Sequence, residues 1–295
     1  MWKNSEIKRE KVLIEALPYI REFYGSIFVI KLGGNALIDE KRMEDIVQDI
    51  VLLRFVGINP IIVHGGGPEI TRKMEKMGKK AEFIAGLRIT DDETLEIAKM
   101  VLVGKINDRI VTLIGKHGGK GIGLSGKDGK LITARKKDLQ KIIVDGVEKE
   151  IDLGWVGEVK CINPEILFIV VEKGYIPVIS PIAVDDEGNS LNINADSVAG
   201  DIALSVGAKK LIILTDVEGL LMDVSDPSTL ISKISLDEVK ELMKRNVIHS
   251  GMIPKIQSGI KVVESGISCH IIDGRKPHSL LLELFSHEGI GTMIY

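Results

Sequence analysis

The sequence predicts an α/β fold built on a mainly parallel open sheet, and three features carry that prediction. Short apolar runs rich in β-branched residues, at 27–30, 60–63 and 211–214, have the composition of strands buried on both faces. Helical periodicity fills the gap between the first two, with Met43, Ile46, Val47, Ile50 and Val51 on one face. Glycine-rich turns follow both strands at once, as Lys31-Leu32-Gly33-Gly34-Asn35 and His64-Gly65-Gly66-Gly67-Pro68. Strand, helix and strand at this spacing form a right-handed crossover with a parallel pair. Both turns then lie at the carboxyl ends of parallel strands, where open α/β sheets bind their ligands.

Composition narrows the function. With 295 residues the chain can bury one large core or two. A net charge of −3, a pI near 6.1 and 4% aromatics argue against a nucleic-acid surface. Apolar runs are too short to span a membrane. The start, Met1-Trp2-Lys3-Asn4-Ser5-Glu6, lacks the apolar stretch of a secretory signal, so a cytoplasmic location is expected. Cys161 and Cys269 stand alone, which argues against a disulfide framework or a structural zinc site.

Taken in order, residues 4–24 carry Ile7, Leu13, Ile14, Leu17 and Ile20 at helical spacing, with Asn4 or Ser5 as cap. Pro18 should break or kink this helix. Its stripe has two possible partners, its own domain or another subunit. Gly57 ends the helix after the first strand, and Pro68 suits the first turn of the next one. Thr90 is expected to cap a further helix, with Glu93 at N3, running towards Ile110. A strand around 122–125 and projecting hairpins over 127–160 follow. A helix from Asn163 to Val171 then leads to a strand at 176–179.

A second βα unit begins near residue 197. Val198, Ala199, Ile202, Ala203 and Val206 mark its helix, and Thr215-Asp216 closes its strand. Helices near 236–245 and 256–265, a strand at 269–272, a helix near 278–286 and a short last strand complete the chain.

The chemistry suggested is phosphate chemistry without the usual fingerprints. GxxxxGK[ST], GxGxxG after a strand, GxSxG and HExxH are all absent. Lys31 is the sharpest candidate, because a buried strand surfaces there beside two glycines whose amides can face an anion. A surface lysine at a strand end is the plain alternative. Lys255 opens a helix in Gly251-Met252-Ile253-Pro254-Lys255, where a solvated lysine is the simple reading. Asp196 either caps its helix or holds the lysines. Arg88 is a candidate for bidentate capture of a carboxylate, or for an ordinary salt bridge. Asn192 and Asn194 suit turns equally well, and His64 is read as fixing its turn rather than transferring protons.

In combination these segments resemble a known family. Lys31-Leu32-Gly33-Gly34, Val63-His64-Gly65-Gly66-Gly67, Gly86-Leu87-Arg88, Asn192-Ile193-Asn194-Ala195-Asp196, Thr215-Asp216-Val217-Glu218-Gly219 and Gly251-Met252-Ile253-Pro254-Lys255 occur in the order seen in N-acetylglutamate kinases. That group sits in the amino-acid kinase superfamily, and the similarity runs from about residue 25 to the C-terminus. The resemblance implies a three-layer αβα sandwich with an N-terminal helical extension. It also implies an oligomerisation helix at 1–24, an N-acetylglutamate-binding and dimerisation lobe at 25–196, and an ATP-binding lobe at 197–295.

By the same resemblance, ATP phosphorylates the side-chain carboxylate of N-acetyl-L-glutamate, early in arginine biosynthesis. Lys31 and Lys255 would stabilise the transition state, Asp196 would organise them, and Gly34 and Gly66 would offer amides to the moving phosphoryl group. Gly66, Gly67, Arg88 and Asn192 would hold the acceptor, with Arg88 on its α-carboxylate. The nucleotide would lie along Asp216, Val217, Glu218, Gly219, Leu220 and Leu221 and near 247–249, its Mg²⁺ held mainly by its own phosphates rather than by a protein metal site. A side-chain carboxylate with pKa about 4.3 is already ionised at neutral pH, so no general base is required.

The N-terminal segment and the stretch from His278-Ser279-Leu280-Leu281 to Glu288-Gly289-Ile290-Gly291-Thr292 resemble the arginine-inhibited members. Those are hexamers, trimers of dimers, and some relatives bind a PII-type signal protein. An acetylated or carrier-linked aminoadipate is the rival acceptor. A non-catalytic sensor on the same fold is the rival class; such a protein would have lost a lysine or Asp196, and all three are present. A dinucleotide-dependent dehydrogenase lacks its glycine pattern here.

Overall fold

In the computed structural model the described residues are 9–33, 37, 39–84, 86–144, 147–223, 226–245, 248, 251–286 and 289–295. The chain opens with α1 (Arg9–Phe23), then β1 (Ile27–Leu32), α2 (Glu40–Phe55) and β2 (Asn59–His64). The crossover read from the sequence is present, with β1 and β2 parallel and Lys31 opposite Val63. Next come α3 (Gly67–Lys76), a small hairpin of β3 (Phe83–Ile84) and β4 (Leu87–Arg88), and α4 (Asp92–Lys99). A π-helical stretch, Met100–Asn107, joins α4 to α5 (Asp108–Lys116), so one long helical rod continues past Ile110.

After β5 (Gly121–Ser125) the expected hairpins appear as β6 (Ile132–Lys136), β7 (Gln140–Val144), β8 (Val147–Ile151) and β9 (Val156–Ile162). There follow α6 (Glu165–Glu172), β10 (Ile176–Ser180), β11 (Ile182–Val184), β12 (Ser190–Ile193), α7 (Ala195–Ser205) and β13 (Lys210–Thr215). The last part holds β14 (Lys233–Ile234), α8 (Leu236–Lys244), α9 (Ile253–Val263), β15 (Ser268–Asp273), α10 (Ser279–Phe285) and β16 (Thr292–Ile294).

One eight-stranded sheet runs through the molecule in the order β14-β16-β15-β13-β1-β2-β10-β5. Its pairs are parallel except β15 with β16. Strands β11, β12, β9 and β6 close into a small barrel beside it. Neither β11 nor β12 was anticipated from the sequence. The two-residue period of a strand then sorts the core. Phe28, Ile30, Ile62, Ile212 and Leu214 face one layer with α2 and the α4–α5 rod, while Val29, Ile61, Val63, Leu211 and Ile213 face the other with α7 and α9. This is the mainly parallel α/β sheet the sequence predicts, in the three-layer arrangement the resemblance implies. Lys31 shares its strand face with Val29 and so points at the α7 layer.

Three local readings are corrected. Helix α1 runs unbroken through Pro18; one ladder bond is lost, and the Tyr19, Phe23 and Phe28 rings pack at its end. Asp91, not Thr90, caps α4, with Asp91 Oδ1 accepting from Thr94 N at 2.8 Å. Thr90 is held in an extended bridge to Gly154, one residue too early to cap. On α7 the cap is Asn194, whose Oδ1 accepts from Asp196 N at 2.8 Å and Ser197 N at 3.1 Å. Asp196 therefore sits inside the first turn with its carboxylate free of capping.

Candidate active site

The sheet brings Lys31, Asp196 and Lys255 together from β1, α7 and α9. Lys31 Nζ lies 2.9 Å from Asp196 Oδ1, and Lys255 Nζ lies 3.6 Å from Asp196 Oδ2. All three side chains are largely buried, at 7%, 8% and 15% exposure for Lys31, Asp196 and Lys255. Burial on its own would raise the Asp196 carboxyl, but Lys31 and then Lys255 outweigh it and hold it below the ordinary carboxylate range. One carboxylate shared by two ammonium groups leaves a net positive charge in a sheltered place. That is the electrostatic requirement for holding a transferring phosphoryl group.

Local chemistry explains how a strand can end this way. A Cβ on Gly33 would fall 2.1 Å from Lys31 Nζ, so the glycine makes room for the lysine to fold over its own chain. Ser258 Oγ donates to the Asp196 carbonyl at 2.9 Å, tying α9 to α7 three residues beyond Lys255. The sequence points to Gly33 for its amide rather than for the room it leaves Lys31. Gly33 was visible in its motif, whereas Ser258 gave no local signal.

The second glycine turn is fixed from below. His64 is fully buried; its Nδ1 lies 3.0 Å from the Gly65 carbonyl and its Nε2 3.3 Å from Asn107 Nδ2 on the π-helical stretch. Burial lowers its pKa to about 4, so the ring is neutral at physiological pH and both nitrogens are engaged. That matches the structural role read for His64. Gly65 N donates to Leu32 O at 2.8 Å, joining the two turns, and Gly66 forms the N-cap of α3.

These turns border a cavity of about 230 Å³ lined by Lys31, Gly66, Gly67, Arg88, Asn192 and Asp196, among others. Asn192 reaches it from β12 of the small barrel, and Arg88 from the β3–β4 hairpin. Arg88 is 7% exposed, with Nη2 donating to Gly67 O at 2.8 Å and Thr71 Oγ1 at 2.7 Å. Its guanidinium lies 4.5 Å from the Phe83 ring centroid, and burial lowers its pKa. Arginine nonetheless stays charged. Among the described residues no carboxylate pairs with Arg88. A buried cation of this kind calls for an anion in the cavity beside it.

A second cavity, about 250 Å³, lies on the other side of the lysine cluster. Asp216, Val217, Gly219, Leu220 and Leu221 line it after β13, with Ile248 and Lys255 opposite. Glu218 is on the same turn without joining that lining. Gly34, Val247 and His249, also expected near the site, lie outside the described residues. Among the described residues no group of three or more His, Cys, Asp or Glu could hold a metal ion.

The pattern has close counterparts. A model of the amino acid kinase family matches residues 26–273. The chain belongs to the amino acid kinase family. An acetylglutamate kinase of Methanococcoides burtonii is 65% identical over 289 residues, covering 98% of this chain and 95% of that protein. One of Methanocaldococcus jannaschii is 56% identical over 290 residues, covering 98% and 96%. Among solved structures, N-acetylglutamate synthase from Neisseria gonorrhoeae, complexed with coenzyme A and N-acetyl-glutamate, superposes with a TM-score of 0.83 at 26% identity. The match covers 97% of this amino acid kinase and 63% of the synthase chain, so it spans less than two thirds of that protein. Carbamate kinase from Giardia shares the fold at 16% identity and a TM-score of 0.65, over 92% of this chain and 98% of its own.

Proposed function

We propose that this chain transfers the γ-phosphoryl group of ATP to the side-chain carboxylate of N-acetyl-L-glutamate, giving the acyl phosphate and ADP in arginine biosynthesis. The observation that carries the reading is Arg88, a buried cation without a carboxylate partner among the described residues, lining the same cavity as Lys31 and Asp196. In this reading Arg88 takes the α-carboxylate of the acceptor, aided by Asn192. The other carboxylate then faces Lys31 and the amide of Gly66. The near-full-length similarity to acetylglutamate kinases supports the choice of acceptor.

The titratable groups point to the same reaction class. His64 is buried and occupied by Gly65 and Asn107, and Asp196 is held by two lysines. Neither is available to strip a proton from a hydroxyl acceptor, whereas a carboxylate needs no such help. Repulsion between that anion and ATP is the obstacle, and Lys31 and Lys255 counter it as charge spreads in transit. The adenine nucleotide would occupy the cavity after β13, with residues 216–221 beneath it. In this reading Mg²⁺ arrives as the ATP complex, held mainly by the nucleotide phosphates.

The finer regulatory reading belongs to the same proposal: inhibition by arginine, and assembly of dimers into a hexamer through residues 1–24, with lobes at 25–196 and 197–295 and a PII-type protein as candidate partner, in the cytoplasm. For the arginine part, α1 and α10, from the two segments that resemble the arginine-inhibited members, touch within the chain. The gonococcal synthase complexed with coenzyme A and L-arginine is similar at 25% identity and a TM-score of 0.79, over 97% of this chain and 65% of that one. The test is a coupled ADP-release assay on purified protein. N-acetylglutamate should drive turnover far better than its aminoadipate homologue, and added arginine should suppress it. Preference for the longer acceptor would overturn the assignment.

A further inference from the structure

The turn after β13 is held from behind by the last strand of the chain. Leu220 N donates to Thr292 Oγ1 at 2.8 Å, and Thr292 is fully buried at the start of β16. Gly219, with φ +154°, makes the close approach possible: a Cβ there would lie 2.6 Å from Thr292 Oγ1 and 2.8 Å from Leu230 Cδ1. On the carbonyl side Ile231 N donates to Leu220 O at 2.9 Å. The position of β16 is itself fixed, because Glu283 Oε2 accepts from Ile290 N at 2.7 Å and Gly291 N at 3.2 Å.

Val217, Leu220 and Leu221 line the cavity after β13, and Thr292 does not. The backbone that presents these side chains is therefore anchored by one hydroxyl more than seventy residues further along the chain. We propose that Thr292 is a positioning residue for the nucleotide, holding the 216–221 turn in its binding shape without touching the ligand. This rests on the reading of that cavity as the ATP site. Thr292→Val keeps the shape but leaves the buried Leu220 N–H unpaired, which favours a rearranged turn. Thr292→Ser keeps the acceptor.

Steady-state kinetics on the full chain test this with four variants. Thr292→Val should raise KM for MgATP about tenfold. It should leave KM for N-acetylglutamate within about twofold, and Thr292→Ser should restore near-normal values, since the serine hydroxyl remains. Gly219→Ala pushes the turn off Thr292 from the other side and should produce the same selective rise, which covers the case of an insoluble valine variant. Val217→Trp, at the mouth of the cavity, reports on the underlying reading and should raise KM for MgATP. If Val217→Trp weakens MgATP but neither Thr292→Val nor Gly219→Ala does, the role of Thr292 is refuted and the site assignment stands. If all three leave KM for MgATP unchanged, the nucleotide assignment falls, and the proposal with it. Equal losses for both substrates that serine does not relieve would mark Thr292 as merely structural and overturn the proposal.

Discussion

At the scale of single residues, Asp196 sets the character of the site because its two oxygens face different lysines. Lys31 is fixed on a central strand, while Lys255 arrives on the first turn of α9. Removing one preorganised charge of this kind typically costs about a hundred- to a thousand-fold in rate. Lys31→Ala and Lys255→Ala should each lower kcat by at least that range, and near-normal turnover in either would contradict the shared-clamp account. His64 gives a prediction about pH. Its folded pKa of about 4 lies below the unfolded value near 6.5, so between those limits the unfolded chain binds the extra proton. Stability from this group is complete above pH 6.5 and falls by about 3 kcal/mol as pH drops to 4. The stability advantage of the wild type over His64→Gln in urea unfolding should therefore shrink from pH 7 to pH 4. A difference independent of pH would refute it. Asp49, raised to about 6 by burial, acts in the opposite direction and cancels in that comparison.

At the scale of elements, helix starts carry the site. α3 begins at the second glycine turn, α7 at Asn194 and α9 at Met252, so three N-terminal ends border the two cavities. Asn194→Ala removes two hydrogen bonds at the start of α7 and should cost about 1 kcal/mol by chemical denaturation. An unchanged midpoint would show that tertiary packing, not the cap, fixes that turn. The buried strands and their glycine turns were legible in the sequence because a strand covered on both faces needs an unbroken apolar run. What stayed hidden was set by distant partners. Pro18 is tolerated because aromatic packing around Phe23 and Phe28 holds α1. The cap of α4 moves to Asp91 because Gly154, sixty-odd residues on, pins Thr90. The short strands β11 and β12 have no pattern of their own and exist by pairing with β6 and β9. Ser258 and Thr292 likewise look ordinary until the fold sets them against Asp196 and Leu220.

At the scale of the whole molecule, one sheet carries both halves of the site. β1 is bonded to β2 on one side and β13 on the other, so the two glycine turns and the turn after β13 hang from adjacent strands. Position 196 falls within α7, the helix that packs on β1 and against α9. Any movement of α9 relative to α7 would move Lys255 relative to Asp196, which makes the lysine clamp sensitive to how the C-terminal part is seated. In the sequence, Asp196 as the holder of both lysines was one of two readings and was favoured only by the family resemblance; the placement of β1, α7 and α9 decides for it. The central claim is that a carboxylate, not a hydroxyl, receives the phosphoryl group. Trapping with hydroxylamine tests it most directly. Purified protein with MgATP and N-acetyl-L-glutamate should accumulate the hydroxamate in step with ADP, and Lys255→Ala should form little of either. ADP release without hydroxamate would contradict the account.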